Sequence, residues 1–142
     1  MTTIAYKDGI IATDGRIRND DIVATDDREK RYEVDGGFIF FAGSDRTIDA
    51  LQALGSFAAG AEVGSSCWNA FFVNDNGDLY LCGAEDGKVW MEKDRDLMPT
   101  AIGSGTHLAL AAMDMGLTAA EAVEYASTRD TATGGTIREW RV

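Results

Sequence analysis

Threonine at position 2 is the first residue with chemistry to offer. It is small enough for ordinary methionine removal, which would leave a free amino-terminal threonine. Such a residue carries its own base: an α-amine with a pKa of ~7.7–8.0 can take the hydroxyl proton. Most chains that begin Met-Thr make no such use of it. Lys30 lies in the charged stretch Asp26 to Arg31, where a lysine is ordinarily a solvated side chain. Placed beside a nucleophile, it would lower the pKa of that group and keep the amine neutral. Asp14, at the end of the apolar run Ile10-Ile11-Ala12-Thr13, is either a strand-end residue or the carboxylate that holds the lysine. Ser104 stands between two glycines before a helix and reads as an N-terminal cap. Asp130 to Gly135 reads as a loop after a helix. His107 is the sole histidine, so a multi-histidine metal site is excluded and any His-based triad must use this residue. Cys67 and Cys82 sit in apolar, strand-like surroundings and read as buried, reduced thiols.

The elements that must position these residues follow from apolar periodicity and turn signals. Thr2 to Tyr6 and Ile10 to Thr13 flank Lys7-Asp8-Gly9, a strong hairpin signal. A polar loop follows, then a strand over Ile22 to Thr25. Tyr32 to Val34 and Phe38 to Phe41 form a second hairpin around Asp35-Gly36-Gly37, and its all-apolar second arm suits a strand buried on both faces. Ser44 caps a helix predicted roughly from Asp45 to Ala59, with Ile48, Leu51, Leu54 and Ala58 at helical spacing. Strands return over Trp68 to Val73, Asp78 to Cys82 and Lys88 to Glu92. A helix from His107 to Met115 stops at Gly116. Thr118-Ala119-Ala120-Glu121 is a capping box that opens a helix reaching about Arg129. Thr136 to Val142 closes the chain as a strand. This order predicts an α+β fold of antiparallel sheets covered by helices, one domain spanning residues 1–142.

Composition bounds the function. With 142 residues and 45% hydrophobic content, the chain can bury a real core. Its charge of −11 argues against a broad phosphate-binding surface, so no nucleic-acid partner is expected. No run approaches the ~20 apolar residues of a membrane span, and no secretion signal is visible, so the expectation is a cytoplasmic chain with no membrane partner.

Taken in order, the motifs resemble those of proteasome β-subunits and HslV peptidases, the N-terminal-nucleophile (Ntn) hydrolases. Thr2-Thr3-Ile4 with Lys7-Asp8-Gly9 resembles their mature start, and Ile11-Ala12-Thr13-Asp14 their second strand with its acidic residue. Val23-Ala24-Thr25 through Lys30 to Glu33-Val34 is similar to the segment bearing their catalytic lysine. Phe41-Ala42-Gly43 resembles their oxyanion glycine, and Ala101-Ile102-Gly103-Ser104-Gly105 their Gly-Ser-Gly turn. Arg129 to Gly135 resembles their Arg-Asp-x-x-Ser-Gly-Gly motif, with Thr133 in place of serine.

The resemblance implies a four-layer αββα sandwich and a set of roles. Thr2 would be the nucleophile, with its freed amine as base. Lys30 would tune that pair and Asp14 would hold Lys30. Ser104, Asp130 and Thr133 would position the amine and a proton-carrying water, and the Gly43 amide would stabilise the oxyanion. It implies an acyl-enzyme route with no cofactor and no metal, acting on peptides or unfolded polypeptide. It also implies a homo-oligomer, with a possible AAA+ ATPase unfoldase as partner. The chain departs from the family between Gly43 and Trp68, where there is room for one long helix instead of two. The sheet face below would then be less covered, leaving it to another subunit or to polar residues. Ser44 replaces a glycine that commonly follows the oxyanion residue. Phe41 and Asp45 fall where the family lines its specificity pocket, which predicts a shallow pocket and a preference for basic side chains. Two alternatives stand beside the peptidase: a small-amide hydrolase, and a non-catalytic assembly subunit of the same fold.

Overall fold

The local turns dictate how the chain folds back on itself. A computed structural model describes residues 2–64 and 66–142. Strands β1 (Thr3–Lys7) and β2 (Ile10–Thr13) meet at a two-residue turn whose Asp8 and Gly9 both adopt positive φ. That is the twist a tight hairpin requires, and aspartate and glycine tolerate it best. The short ribbon of β3 (Ile17–Asn19) and β4 (Ile22–Thr25) follows. β3 lies where the sequence predicts a polar loop, because three residues with an arginine and an asparagine among them carry no apolar alternation. Next come β5 (Arg31–Val34), β6 (Gly37–Ala42), helix α1 (Asp45–Gln52), β7 (Asn69–Asn74), β8 (Leu79–Glu85) and β9 (Lys88–Lys93). The chain ends with β10 (Thr100–Gly103), α2 (Thr106–Asp114), α3 (Ala119–Ser127) and β11 (Arg138–Arg141).

The residues cluster into two compact units. One holds the chain up to Lys30 and the stretch Asp96–Val142; the other is Arg31–Arg95. The first unit is built on an antiparallel sheet of order β10-β1-β2-β11. One face of it is lined by Ala5, Ala12 and Ala101, which pack against Ala109, Ala112 and Met113 of α2 and Ala122, Val123 and Ala126 of α3. Alanine on both sides lets the helices lie close to the strands. Lys7 reaches across, its Nζ donating to the carbonyls of Met113 (3.1 Å) and Leu117 (2.8 Å). Met113 stands in the last turn of α2 and Leu117 just beyond it, so a cation there suits the helix dipole. The capping box of α3 forms as predicted, with Thr118 and Glu121 bonding each other's main chain.

The second unit is an antiparallel sheet in simple sequence order, β5-β6-β7-β8-β9. Ile48 and Leu51 of α1 pack on Ile39, Phe41, Ala70, Phe72, Cys82 and Val89. Helix α1 ends at Gln52, seven residues short of the predicted Ala59, because Gly55 and Ser56 offer little helical propensity and nothing caps a longer helix. Ser44 occupies the N-cap position with extended backbone, yet its hydroxyl makes no cap bond. The expected gap over the sheet is filled in a way the sequence did not suggest. Phe57, Val63 and Trp68, from the segment after α1, enter the core, and the Phe57 ring meets Phe72 at 4.8 Å between centroids. The same segment is tied along β9 by Val89 N–H to the Ala61 carbonyl (2.8 Å) and Gly60 N–H to the Val89 carbonyl (2.7 Å). An irregular segment thus does the covering that another subunit or polar residues were expected to do. Cys82 is buried as expected, and burial pushes its thiol up to about 12; Cys67 is exposed, contrary to expectation. Among the described residues, no helix is long and apolar enough to cross a membrane.

Candidate active site

Strand pairing brings the ends of two other strands to the start of β1. Thr3 pairs with Gly103 and Ile4 with Thr13, so the ends of β10 and β2 flank Thr2. The Ser104 N–H donates to the Thr2 carbonyl at 2.8 Å, and the Asp14 N–H to the Thr3 carbonyl at 3.3 Å. Gly103, with φ +95°, has no room for a side chain because any Cβ would strike the Thr2 carbonyl. Alternation along the strand puts Thr3 on the helix-covered face with Ala5, and Thr2 on the opposite face.

There Thr2 meets Asp14 and Lys30. All three are buried, with exposures of 3%, 0% and 2%. The Thr2 hydroxyl donates to Asp14 Oδ1 and accepts from Lys30 Nζ. Lys30 Nζ also lies 2.6 Å from Asp14 Oδ1 and donates to the Arg16 carbonyl at 2.7 Å. The second carboxylate oxygen, Oδ2, accepts from the Gly134 N–H at 3.0 Å. Burial sets the electrostatics. It raises the Asp14 pKa above the ordinary carboxylate value, against the pull of Lys30 and the Gly134 and Thr3 amides. Burial likewise lowers the Lys30 pKa, against the pull of Asp14. Burial thus narrows the gap between the two pKa values, and a hydroxyl is bonded to both partners.

A second polar chain lies alongside. Ser104 Oγ donates to Asp130 Oδ2 at 2.5 Å and sits 3.4 Å from the Thr2 carbonyl. Thr133 Oγ1 donates to the same Asp130 oxygen at 2.7 Å and lies 2.6 Å from Thr3 Oγ1. Since Thr133 spends its proton on Asp130, the Thr3 hydroxyl must donate to Thr133. Burial works against ionisation of Asp130, but the hydroxyls of Ser104 and Thr133 and the Ala132 amide outweigh it, so the carboxyl stays below its usual pKa. Ser104 is thus not the cap of α2; Gly105 holds that position.

Six of the seven predicted site residues, Thr2, Asp14, Lys30, Ser104, Asp130 and Thr133, meet within the first unit. Gly43 belongs to the second, where it is packed beneath aromatic side chains: a methyl there would lie 2.6 Å from Phe41 Cζ and 2.8 Å from Trp68 Cβ. The buried Phe41 ring stacks at 5.7 Å from Trp68 and edge-on at 6.5 Å from Tyr32. Residue types gave no hint of three further participants: Thr3, the Arg16 carbonyl and the Gly134 amide. Alternation alone could have separated Thr3 from Thr2, but its partner Thr133 is 130 residues away. Among the described residues, no group of three or more His, Cys, Asp or Glu side chains is arranged to hold a metal ion. The expected removal of Met1 concerns a residue outside the described ones.

No protein-family model matches the chain, and no curated protein matches it in sequence. Solved structures match its fold over 98% of its length. Thiobacillus denitrificans BPH is similar with a TM-score of 0.67 at 18% identity, 95% of that chain being covered. The same protein in complex with epoxomicin gives 0.64 at 16% identity and 96% coverage. Eukaryotic HslV from Trypanosoma brucei gives 0.66 at 17% identity and 98% coverage. At these identities the likeness shows the fold alone: the chain shares that of these structures, an α+β fold of antiparallel sheets and helices as the sequence predicts.

Proposed function

We propose that the chain is a threonine-type hydrolase of peptide bonds, with Thr2 as nucleophile once Met1 has been removed. The observation that carries this reading is the buried Thr2–Asp14–Lys30 cluster, in which one hydroxyl touches both members of an ion pair. A fold built only for assembly gains nothing from such a group, because a buried ion pair is at best a marginal source of stability. That the matching structures include an HslV, and a protein held in complex with epoxomicin, also supports the reading.

In the mechanism, Lys30 polarises the Thr2 oxygen and the freed α-amine takes the hydroxyl proton. The oxygen attacks the carbonyl carbon of the substrate amide. The Gly43 amide serves as an oxyanion donor, a role worth roughly 10²–10³ in kcat in other hydrolases. The proton passes to the leaving nitrogen, the C–N bond breaks, and an acyl ester remains on Thr2. Water then attacks the ester, releases the carboxylate product and restores the hydroxyl. Ser104, Asp130 and Thr133 position the amine and the water. No metal or organic cofactor enters these steps. The substrate is a peptide or an unfolded polypeptide, the working form a cytoplasmic homo-oligomer, and an AAA+ unfoldase a fitting partner. The packed Phe41 ring favours a shallow pocket for the substrate side chain, and Asp45 a basic one.

Intact-mass spectrometry, paired with assays of wild type and Thr2→Ala, tests the proposal. The expected result is a mass lacking one methionine and turnover of a fluorogenic peptide amide and of a denatured protein. Thr2→Ala should abolish both activities and the binding of epoxomicin. Cleavage of short amides without the denatured protein would reassign the chain as a small-amide hydrolase. A retained Met1 and no turnover would leave a structural subunit.

A further inference from the structure

Arg16 touches the site through both its main chain and its side chain. Its carbonyl accepts from Lys30 Nζ at 2.7 Å, and its N–H donates weakly to Asp14 Oδ2 at 3.4 Å. Its guanidinium forks onto Asp26, with Nε 2.8 Å from Oδ1 and Nη2 3.2 Å from Oδ2. A third N–H donates to the Thr131 carbonyl at 3.1 Å. The flat group lies against Gly134, where a methyl would come within 2.6 Å of its Cζ. Gly134 is in turn pinned by its carbonyl, which accepts from the Gly15 N–H at 2.9 Å. Arg18 supports the same loop, donating to Thr131 Oγ1 at 2.9 Å.

We propose that Arg16 is a positioning residue: by gripping Asp26 and Thr131 together, its guanidinium keeps the Gly134 N–H on Asp14 and so sets the state of the carboxylate that Thr2 and Lys30 share. The inference rests on the reading of Thr2 as nucleophile. Its physical basis is the uneven supply of donors to Asp14. Oδ1 receives Lys30, the Thr2 hydroxyl and the Thr3 amide, whereas Oδ2 depends on Gly134 and the longer bond from Arg16. A fully buried carboxylate oxygen that loses its best donor favours the protonated acid. The charged groups around the pair are Arg16 itself, Asp26 and Arg28 near Lys30, and Asp130 on the loop that Arg16 holds. A point charge could be supplied by lysine, but the simultaneous hold on a carboxylate and a carbonyl needs the planar fork of arginine.

The test titrates the Asp14 carboxyl by ¹³C NMR in aspartate-labelled wild type, Arg16→Gln and Arg16→Lys, with Asp14→Asn to assign the signal. Thermal melts verify that each variant is folded. Both Arg16 variants should raise the Asp14 midpoint by about one pH unit, the size expected for losing a hydrogen bond to a charged group. The acid limb of kcat/KM on a fluorogenic peptide amide should move by the same amount. Gly134→Ala, which forces the guanidinium and the peptide apart from the other side, should give the same shift and serves if the Arg16 variants do not fold. A wild-type midpoint in Arg16→Lys would show that charge alone matters and overturn the proposal. Unchanged midpoints in all three variants would overturn it as well. Absence of peptide turnover by wild type would sink the proposed function, while the carboxyl titration would still decide the role of Arg16.

Discussion

A lysine and an aspartate with almost no solvent exposure hold each other at 2.6 Å beneath a threonine hydroxyl. Desolvation opposes the charge on both, so each partner is tolerated only because the other is present. Asp14→Ala should therefore cost about 3–5 kcal/mol, since it leaves an ammonium buried without its counter-ion. The double replacement Asp14→Leu with Lys30→Met should recover most of that loss, and urea unfolding of the three proteins checks both. The sign of the pH dependence follows from the same burial. The raised folded pKa of Asp14 contributes stability below the ordinary carboxylate range, which is lost as pH rises through the raised value. The lowered folded pKa of Lys30 contributes stability above the ordinary lysine range, which is lost as pH falls through the lowered value. Between the two shifted pKa values the charged pair is thus a burden on folding, and the Leu/Met protein should show a flatter stability profile there. For activity, the acid limb of kcat/KM should lie above the ~3.9 of an ordinary aspartate. A limb at that ordinary value would mean that the buried pair does not govern the rate.

Among the elements, the strand ends carry the greatest demand for accuracy. Gly103 closes β10 at positive φ where an added Cβ would strike the Thr2 carbonyl, so Gly103→Ala has to shift β10 or β1. The backbone strain alone should cost roughly 1–3 kcal/mol. Moving Thr2 by an ångström should lower kcat by about 10²-fold. Near-normal kcat in a folded Gly103→Ala protein would show that the nucleophile tolerates looser placement. In the second unit the covering segment after α1 should behave as core. Phe57→Ala should lose about 3–5 kcal/mol in urea unfolding, as for a buried ring in regular structure. A loss below about 1 kcal/mol, the size of a surface change, would mean that the segment is only a loose cover. That segment was not legible beforehand. Its apolar residues follow no period, since an irregular chain places Phe57, Val63 and Trp68 by tertiary contact. Hairpins and the capping box were legible because each is decided within a few residues by turn and cap chemistry.

For the whole molecule, charge becomes the dominant quantity. Two copies each carrying −11 repel one another at long range. If the working form is a homo-oligomer, as proposed, its association should strengthen as salt shortens the screening length, from ~30 Å at ~0.01 M to ~10 Å at ~0.1 M. Sedimentation equilibrium over that range reads this directly. A monomer at every salt concentration would remove the homo-oligomer from the proposed function. Solved structures match the fold over 98% of the chain at only 16–18% identity. A fold of this kind needs apolar alternation, turns and a few close glycine contacts, which many sequences supply.

Residue type and order along the chain were enough for nine of the eleven strands with their tight turns, for the starts of α1 and α3, and for the six polar residues that meet in the first unit. Those features depend on residue type and short-range spacing, or on motifs whose order can be read along the chain. Only the tertiary structure decided that Lys30 is buried rather than solvated, and that Ser104 bonds Asp130 instead of capping a helix. It alone joined Thr3 to Thr133 and set Arg16 against Gly134. Burial and donor–acceptor pairing are properties of what lies across a contact, and the pairs just named stand from 26 to 130 residues apart.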